Sequence, residues 1–362
     1  MRIAIDISQI VYGTGVSVYT KELVTNLLKI DHNNQYLLVG SSLRRKGDLD
    51  LFVKNLRKNV RTDFEYRYLP IPPTVSDIIW NKFRRVSIDR FIGKVDVFHA
   101  SDWSLPPTDA KVVTTVHDLV PILYPDLSHP KLVAVHGNLM DLAKTESDAL
   151  IVPSKTTRRD LVKLGFDSKK INVIPEAVSD EFSPSVKYKI ERVKKHYGIT
   201  GKYVFALGHG HRKNTEKLIE AFKKTVLDVN VILIIAGGGR VQVNWRGEGV
   251  KFLGFVPQKH LPALFSGAEV FVYPSLYEGF GLPILESFAC DTPVVTSDIG
   301  SMREIASGAA ILVDPMNTIS ISKGIRCAHK DRLALIKSGR KRLKNYSWKS
   351  TATQTLKVYN SL

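Results

Sequence analysis

The feature that most constrains this chain is a rhythm of short apolar runs alternating with segments of helical spacing, and the rhythm occurs twice. In the first half the runs are Met1–Ile7, Tyr36–Val39, Val95–His99, Val112–Val116 and Ala149–Val152, and Asn172–Pro175 ends that half. Between them, Val16, Tyr19, Leu23, Leu27 and Ile30 recur at intervals that put them on one helix face. Ser154 is placed to cap a helix running towards Leu164. After a polar, lysine-rich stretch from Ser179 to Gly198 the rhythm restarts. Strands are expected over Tyr203–Leu207, Val231–Ala236, Val250–Leu253, Glu269–Tyr273, Pro293–Thr296 and Ala309–Val313, with helices over Asn214–Val226, Leu261–Phe265 and Pro283–Cys290. Strands alternating with helices predict an α/β class of parallel sheets covered on both faces. Two sets predict two doubly wound, Rossmann-like domains. Ligands of such sheets bind beyond the carboxyl ends of the strands, so chemistry is sought in the loops that follow strands.

Length and charge narrow the reading further. The 362 residues suit two domains at roughly 100–200 residues each. No apolar run approaches the ~18 residues of a membrane span, and Asp6 interrupts any signal-like core at the N-terminus. Cys290 and Cys327, the two cysteines, make neither a disulfide framework nor a zinc site, which fits a reducing cytoplasm. The 52 Lys and Arg against 35 Asp and Glu leave a net charge of +17, so polyanions are the expected neighbours. Clusters such as Arg44-Arg45-Lys46, Arg57-Lys58 and Lys194-Lys195 suit a solvated face or an anionic membrane surface on which the protein would sit peripherally. No nucleic-acid motif accompanies them, and no nucleic-acid partner is expected. Asp48-Leu49-Asp50 is an Asp-x-Asp in a polar stretch with no strand before it, so it is read as chance. No His/Cys cluster suggests a metal, and no cofactor is expected.

The most informative segment is Tyr277-Glu278-Gly279-Phe280-Gly281-Leu282-Pro283-Ile284-Leu285-Glu286, just after a strand and Pro274-Ser275. Gly279 and Gly281 let backbone approach a ligand. Pro283 suits a first helical turn, whose free N–H groups favour an anion. Glu278 on the loop and Glu286 on the helix can hold sugar and ribose hydroxyls. This segment resembles the E-x7-E signature of retaining glycosyltransferases of family 4, which have the GT-B fold. The likeness extends through Ala289, Pro293-Val294-Val295 and Asp298 to Arg303-Glu304-Ile305, and is weak from Ser41 to Lys94.

The resemblance implies two Rossmann-like domains facing a central cleft: residues 1–178 on the acceptor side, 179–345 for the nucleotide sugar, and a C-terminal helix over 346–362 crossing back to the first domain. It implies that Arg212 and Lys213 contact the donor diphosphate. The family commonly has Gly-Arg at the preceding strand end, where this chain has Gly208-His209, so Arg212 or His209 would take that arginine's place. His117 would touch the donor sugar, with Asp118 capping a turn. Gly15, in Gly13-Thr14-Gly15, would reach the diphosphate or the acceptor, while Asp102 and Trp103 could line the acceptor side. Val256, in Gly254-Phe255-Val256, would back the nucleobase. The donor contacts would be Gly15, Arg212, Lys213, Val256, Glu278, Gly279, Phe280, Gly281, Leu282 and Glu286. The catalytic set would be Glu278, His117, Arg212 and Lys213. Trp348 is expected to pack rather than react. Val116–Leu119 with Pro121 and Pro125, and Arg212-Lys213-Asn214, look most like mannosyltransferases of polysaccharide assembly. GDP-mannose is the favoured donor, with UDP-sugars and dTDP-rhamnose open, and a saccharide or lipid-linked saccharide the acceptor. The rival reading is a protein that binds nucleotide sugar or membrane without transfer.

Overall fold

The computed structural model describes residues 1–225, 231–239, 241 and 249–362. The chain divides into two compact units, one of Met1–Glu176 with Ser347–Leu362 and one of Ala177–Tyr346.

The first unit holds strands β1 (Arg2–Asp6), β2 (Gln35–Ser41), β3 (Phe64–Leu69), β4 (Val97–Ala100), β5 (Lys111–Thr115), β6 (Ala149–Val152) and β7 (Ile171–Val173) in one sheet ordered β3-β2-β1-β4-β5-β6-β7. Every pairing is parallel, with Ile5 of β1 opposite both Leu38 and His99. Parallel strands must be covered on both sides. Its longer helices are α1 (Gly15–Ile30), α2 (Lys46–Asn59), α3 (Pro130–Glu146) and α4 (Lys155–Lys163). As expected, the Ser154 hydroxyl caps α4 by accepting from Thr157 N. Three of these elements were not anticipated, and the longest helix, Pro130–Glu146, is one of them. Lys46–Asn59 is a helix, so Asp48 and Asp50 lie on its surface and Asp48 pairs with Arg45. Phe64–Leu69 is an edge strand whose inner residues alternate in exposure.

The second unit holds β8 (Tyr203–Leu207), β9 (Ile232–Ala236), β10 (Val250–Gly254), β11 (Val270–Tyr273), β12 (Val294–Ser297) and β13 (Ile311–Val313), ordered β10-β9-β8-β11-β12-β13. Its helices are α5 (Lys187–His196), α6 (Thr215–Lys223), α7 (Leu261–Ser266), α8 (Leu282–Ala289), α9 (Gly300–Ala306), α10 (Thr318–Lys330) and α11 (Arg332–Leu343). The stretch read as a polar connector, Ser179–Gly198, contains α5, which buries only Val193. Val226, the expected end of α6, lies outside the described residues. The two faces of each strand feed different cores: Phe205, Ile234 and Phe271 pack on one side, Val204, Leu233 and Val270 on the other.

The last helix, α12 (Trp348–Asn360), completes the first unit. Trp348, Ala352 and Tyr359 are buried, Trp348 lies 5.9 Å from the Tyr19 ring, and Thr351 donates to Pro175 O at 2.7 Å.

In both sheets the chain runs outward over three strands, then returns to the other side of the first. The order reverses between β1 and β4, and again between β8 and β11. Such reversal points open a crevice at the carboxyl ends.

Candidate functional site

In the second unit the loops after β8 and β11 flank the reversal point. The β8 strand runs into Gly208, which has φ +80 and sits where an added Cβ would meet the Lys213 side chain at 3.0 Å. The backbone then turns, and Leu276 N donates to Arg212 O at 2.9 Å, tying the two loops together. This brings three of the expected residues into one group. Arg212 Nη1 donates to Glu278 Oε2 at 2.6 Å and to Tyr277 O at 3.1 Å. Lys213 Nζ donates to Glu278 Oε1 and to Tyr273 Oη, each at 2.6 Å. Each carboxylate oxygen thus takes one cation. The Glu278 side chain is only 11% exposed. Burial alone would raise its pKa, but the charges and hydrogen bonds of Lys213 and Arg212 overcome that and hold the carboxyl below its ordinary range. Ser301 Oγ donates to the Glu278 carbonyl at 2.7 Å and fixes the loop from a third element.

Gly281, with φ +113, is the residue before α8, and Leu282 and Pro283 begin the helix. Glu286 stands one turn in and is half-buried. Its carboxyl is pushed up to about 8 by burial, with no offsetting cation among the described residues. The two glutamates of one motif are therefore pushed in opposite directions, Glu278 towards the ionised form and Glu286 towards the neutral acid. Gly279 lies in the loop. The Phe280 side chain does not face a ligand: it is buried in the core against Tyr346. Val256 is likewise a core residue at 8% exposure, whereas its neighbour Phe255 is 76% exposed. The His209 ring lies edge-on to Phe252 at 6.0 Å, and it is Arg212 that engages Glu278.

In the first unit the loops after β1, β4, β5 and β7 carry the polar groups. Gly13 has φ +68, and Thr14 precedes α1 with Gly15 as its first residue. An added Cβ at Gly15 would meet nothing within 4 Å, so that backbone is open. His117 Nδ1 lies 3.2 Å from Glu176 Oε1, with side chains 12% and 7% exposed. Burial disfavours the imidazolium, yet the hydrogen bond and charge of Glu176, with Asp102 and Asp118, outweigh it and raise the His117 pKa. Its Nε2 is buried with no hydrogen-bond partner among the described residues. The Tyr19 ring meets His117 edge-on at 4.6 Å. Asp118 accepts from Val120 N at 3.0 Å, the expected turn cap. Trp348 packs on Tyr19, as expected of a structural residue.

Three participants escaped the sequence reading: Glu176, Tyr273 and Ser301. Glu176 follows Pro175 at the end of β7, and that strand-end position was the one available signal. Tyr273 reads as one more apolar strand residue, and Ser301 carries no motif. Among the described residues no helix is long and apolar enough to cross a membrane.

Comparison with known proteins matches these units to known families. Residues 13–182 match the model "Glycosyltransferase Family 4" and residues 190–349 match "Glycosyl transferases group 1". The chain is 30% identical over 284 residues to O-antigen chain mannosyltransferase B of Escherichia coli, covering 74% of each sequence. Among solved structures it resembles a sucrose-phosphate synthase from Thermosynechococcus elongatus, with a TM-score of 0.73 and 18% identity over 100% of this chain and 98% of the other. It also resembles Anabaena HepE in complex with UDP-glucose, with a TM-score of 0.70 and 16% identity over 100% of both chains.

Proposed function

The chain belongs to family 4 of the glycosyltransferases, with the GT-B fold, and from that premise we propose that it moves mannose from GDP-mannose to a saccharide or lipid-linked saccharide, with retention at the anomeric carbon. The observation that carries the reading is the Arg212–Glu278–Lys213 group at the carboxyl edge of the second sheet. A donor diphosphate arriving there shares two fixed cations with Glu278. As the bond from anomeric carbon to phosphate oxygen breaks, charge grows on that oxygen beside Arg212 and Lys213, and preorganised cations lower the barrier. We assign this role to them and to no metal. The acceptor hydroxyl attacks from the face that the diphosphate leaves. Its proton passes to the departing phosphate oxygen, a new carbon–oxygen bond forms, and nucleoside diphosphate is released.

The other expected residues take parts in the same reading. Glu286 holds the ribose hydroxyls. Glu278 and the backbone of Gly279, Gly281 and Leu282 hold the sugar. His117, oriented by Glu176, acts from the first unit. The choice of mannose rests on the E. coli mannosyltransferase relative and on the motif likeness; UDP- or dTDP-sugars are the rival donors. The exposed Leu43 and Leu51, at 58% and 57%, lie among Arg44, Arg45, Lys46, Lys54, Arg57 and Lys58, all exposed. That mixture supports peripheral contact with an anionic bilayer from the cytoplasmic side.

Calorimetric titration with GDP-mannose, UDP-glucose, UDP-N-acetylglucosamine and dTDP-rhamnose tests the donor. Binding of GDP-mannose, lost in Glu286→Ala, is expected. Preference for another nucleotide sugar sinks the choice of donor, and unchanged binding in Glu286→Ala removes that residue from the site.

A further inference from the structure

Helix α5 buries only Val193, so most of its charged residues would ordinarily form a solvated face. Where α5 packs on α7, however, the second unit has a cavity of about 310 Å³ that shares no residue with the Arg212–Glu278–Lys213 group. Lys189 and Arg192 line it from α5, and Lys259 and His260 line it from the turn that precedes α7. The wall is held in shape. Ser185 N donates to Ser266 Oγ at 2.9 Å, pinning the segment before α5 to the end of α7. Tyr197 Oη lies 2.9 Å from His260 Nδ1, and the rings of His196 and Tyr197 meet His260 edge-on at 5.3 and 5.6 Å.

The charges in this cavity are not balanced. Elsewhere in the second unit Lys224 meets Glu220, Arg303 meets Asp298 and Arg340 meets Asp291. Among the described residues Lys189, Arg192 and Lys259 have no such acidic partner; Arg192 lies instead over the Tyr188 ring at 5.8 Å. Glu181 is the one carboxylate that lines the cavity, and Glu191 on α5 pairs with Lys194. Three cations thus converge on one carboxylate, and like charges held together repel. Burial, with the charges of His196, Lys259 and Arg192, pushes the His260 pKa down, so a second ring proton is disfavoured until an anion arrives.

Donors that converge from two elements suit a tetrahedral dianion, whose oxygens accept from several directions. Arg meets a phosphate as a fork and Lys as a point charge. A phosphate oxygen at His260 Nε2 selects the tautomer in which Tyr197 donates to Nδ1 and Nε2 carries the ring proton. The cavity is of the size of a small-molecule pocket, roughly 300 Å³ or more, and Val186 and Pro262 give it an apolar side for the rest of a ligand. We infer that this α5–α7 cavity binds a phosphate monoester, with Lys189, Arg192, Lys259 and His260 holding the phosphoryl group. The site goes beyond the transfer reaction proposed above and does not depend on it.

Histidine-selective NMR on the full chain at pH 7 tests this, with the His260 ring signal assigned by its loss in His260→Gln. Glucose 6-phosphate should move that signal saturably, and glucose should not. Affinity should fall about fivefold or more, the loss of one charge-assisted contact, in both Arg192→Ala and Lys259→Ala. Both side chains are exposed, so misfolding does not explain a loss. The response should survive in Lys213→Ala, which alters the proposed donor site. Flotation with phosphatidylcholine vesicles, with and without phosphatidic acid, separates the two sources of a phosphate monoester. Flotation that needs phosphatidic acid and is lost in the Arg192→Ala, Lys259→Ala double variant, without a response to glucose 6-phosphate, assigns the site to a lipid headgroup. Equal affinity for glucose 6-phosphate in the two single variants overturns the proposal. So does an equal shift of the His260 signal by sodium chloride at matched ionic strength, or the absence of both the sugar-phosphate response and the variant-sensitive flotation.

Discussion

Replacing Glu286 by Gln should stabilise the protein, and the gain should grow with pH. In the folded chain burial raises the Glu286 carboxyl from 4.5 to about 8. Between those values the native state keeps a proton that the unfolded state has released. Stability therefore falls as pH rises through this window and levels off above the folded value. Each tenfold change in proton affinity corresponds to about 1.36 kcal/mol, so full burial would set an upper limit of about 5 kcal/mol. Glu286 is half-buried, and solvent screening brings the expected penalty to about 1–2 kcal/mol at pH 8. Gln keeps the shape of the neutral acid without its proton equilibrium. Urea unfolding of wild type and Glu286→Gln from pH 5 to 9 should show curves that nearly coincide at pH 5 and separate by that amount at pH 8–9. A pH-independent gap, or a variant less stable than wild type at pH 9, would refute the argument that burial governs this carboxyl. Nucleotide binding supplies a second readout. Ribose hydroxyls favour the ionised acid, so binding should release a proton, seen as a dependence of the calorimetric enthalpy on buffer.

Three further outcomes are expected. Lys213→Ala should lower turnover about 100-fold, the scale of losing one group that stabilises a developing oxyanion, while urea unfolding shifts far less; steady-state kinetics with equal turnover would move that role elsewhere. His99, buried between Tyr359 Oη at 2.6 Å and Thr115 Oγ1 at 2.8 Å, has its pKa lowered by burial and by His117 to about 3. The unfolded chain thus binds a proton that the native state refuses below pH 6.5, and stability should drop by about 2 kcal/mol between pH 6.5 and pH 5; His99→Asn should flatten that acid limb, and an unchanged limb assigns it to other groups. Ser154→Ala should cost about 1 kcal/mol by removing the α4 cap, checked by urea unfolding, where a change under a few tenths would show that the cap contributes nothing.

The sequence disclosed most where burial is two-sided. Strands β8, β9 and β11 are covered on both faces and read as unbroken apolar runs, so their ends, and the loops that carry Arg212 and Glu278, could be located closely. It disclosed least where one face meets water. Helix α2 buries only Leu49, Val53 and Leu56, too sparse a stripe to stand out among its charges. Helix α5 buries only Val193 and looked like a connector. Side-chain partners were less legible still. Glu176 reaches His117 across 59 residues of chain, and nothing in local spacing announces such a pair. Phe280 and Val256 carry motif positions, yet their side chains serve the core. A motif can mark a loop whose backbone faces the ligand without saying which way each side chain turns.

The return of α12 to the first unit has a consequence for how the molecule is made. Synthesis runs from the N-terminus at about 5–20 residues per second, so the sheet β1–β7 leaves the ribosome first. Trp348, Ala352 and Tyr359, which pack into that unit, leave only after the 170 residues of Ala177–Tyr346. During that interval the hydroxyl of Tyr359 is absent from His99 and the indole of Trp348 is absent from Tyr19. The nascent first unit waits with the side chains that meet α12 uncovered, whereas the second unit is built from one continuous stretch of chain. The half of the enzyme that is born first is the half that matures last.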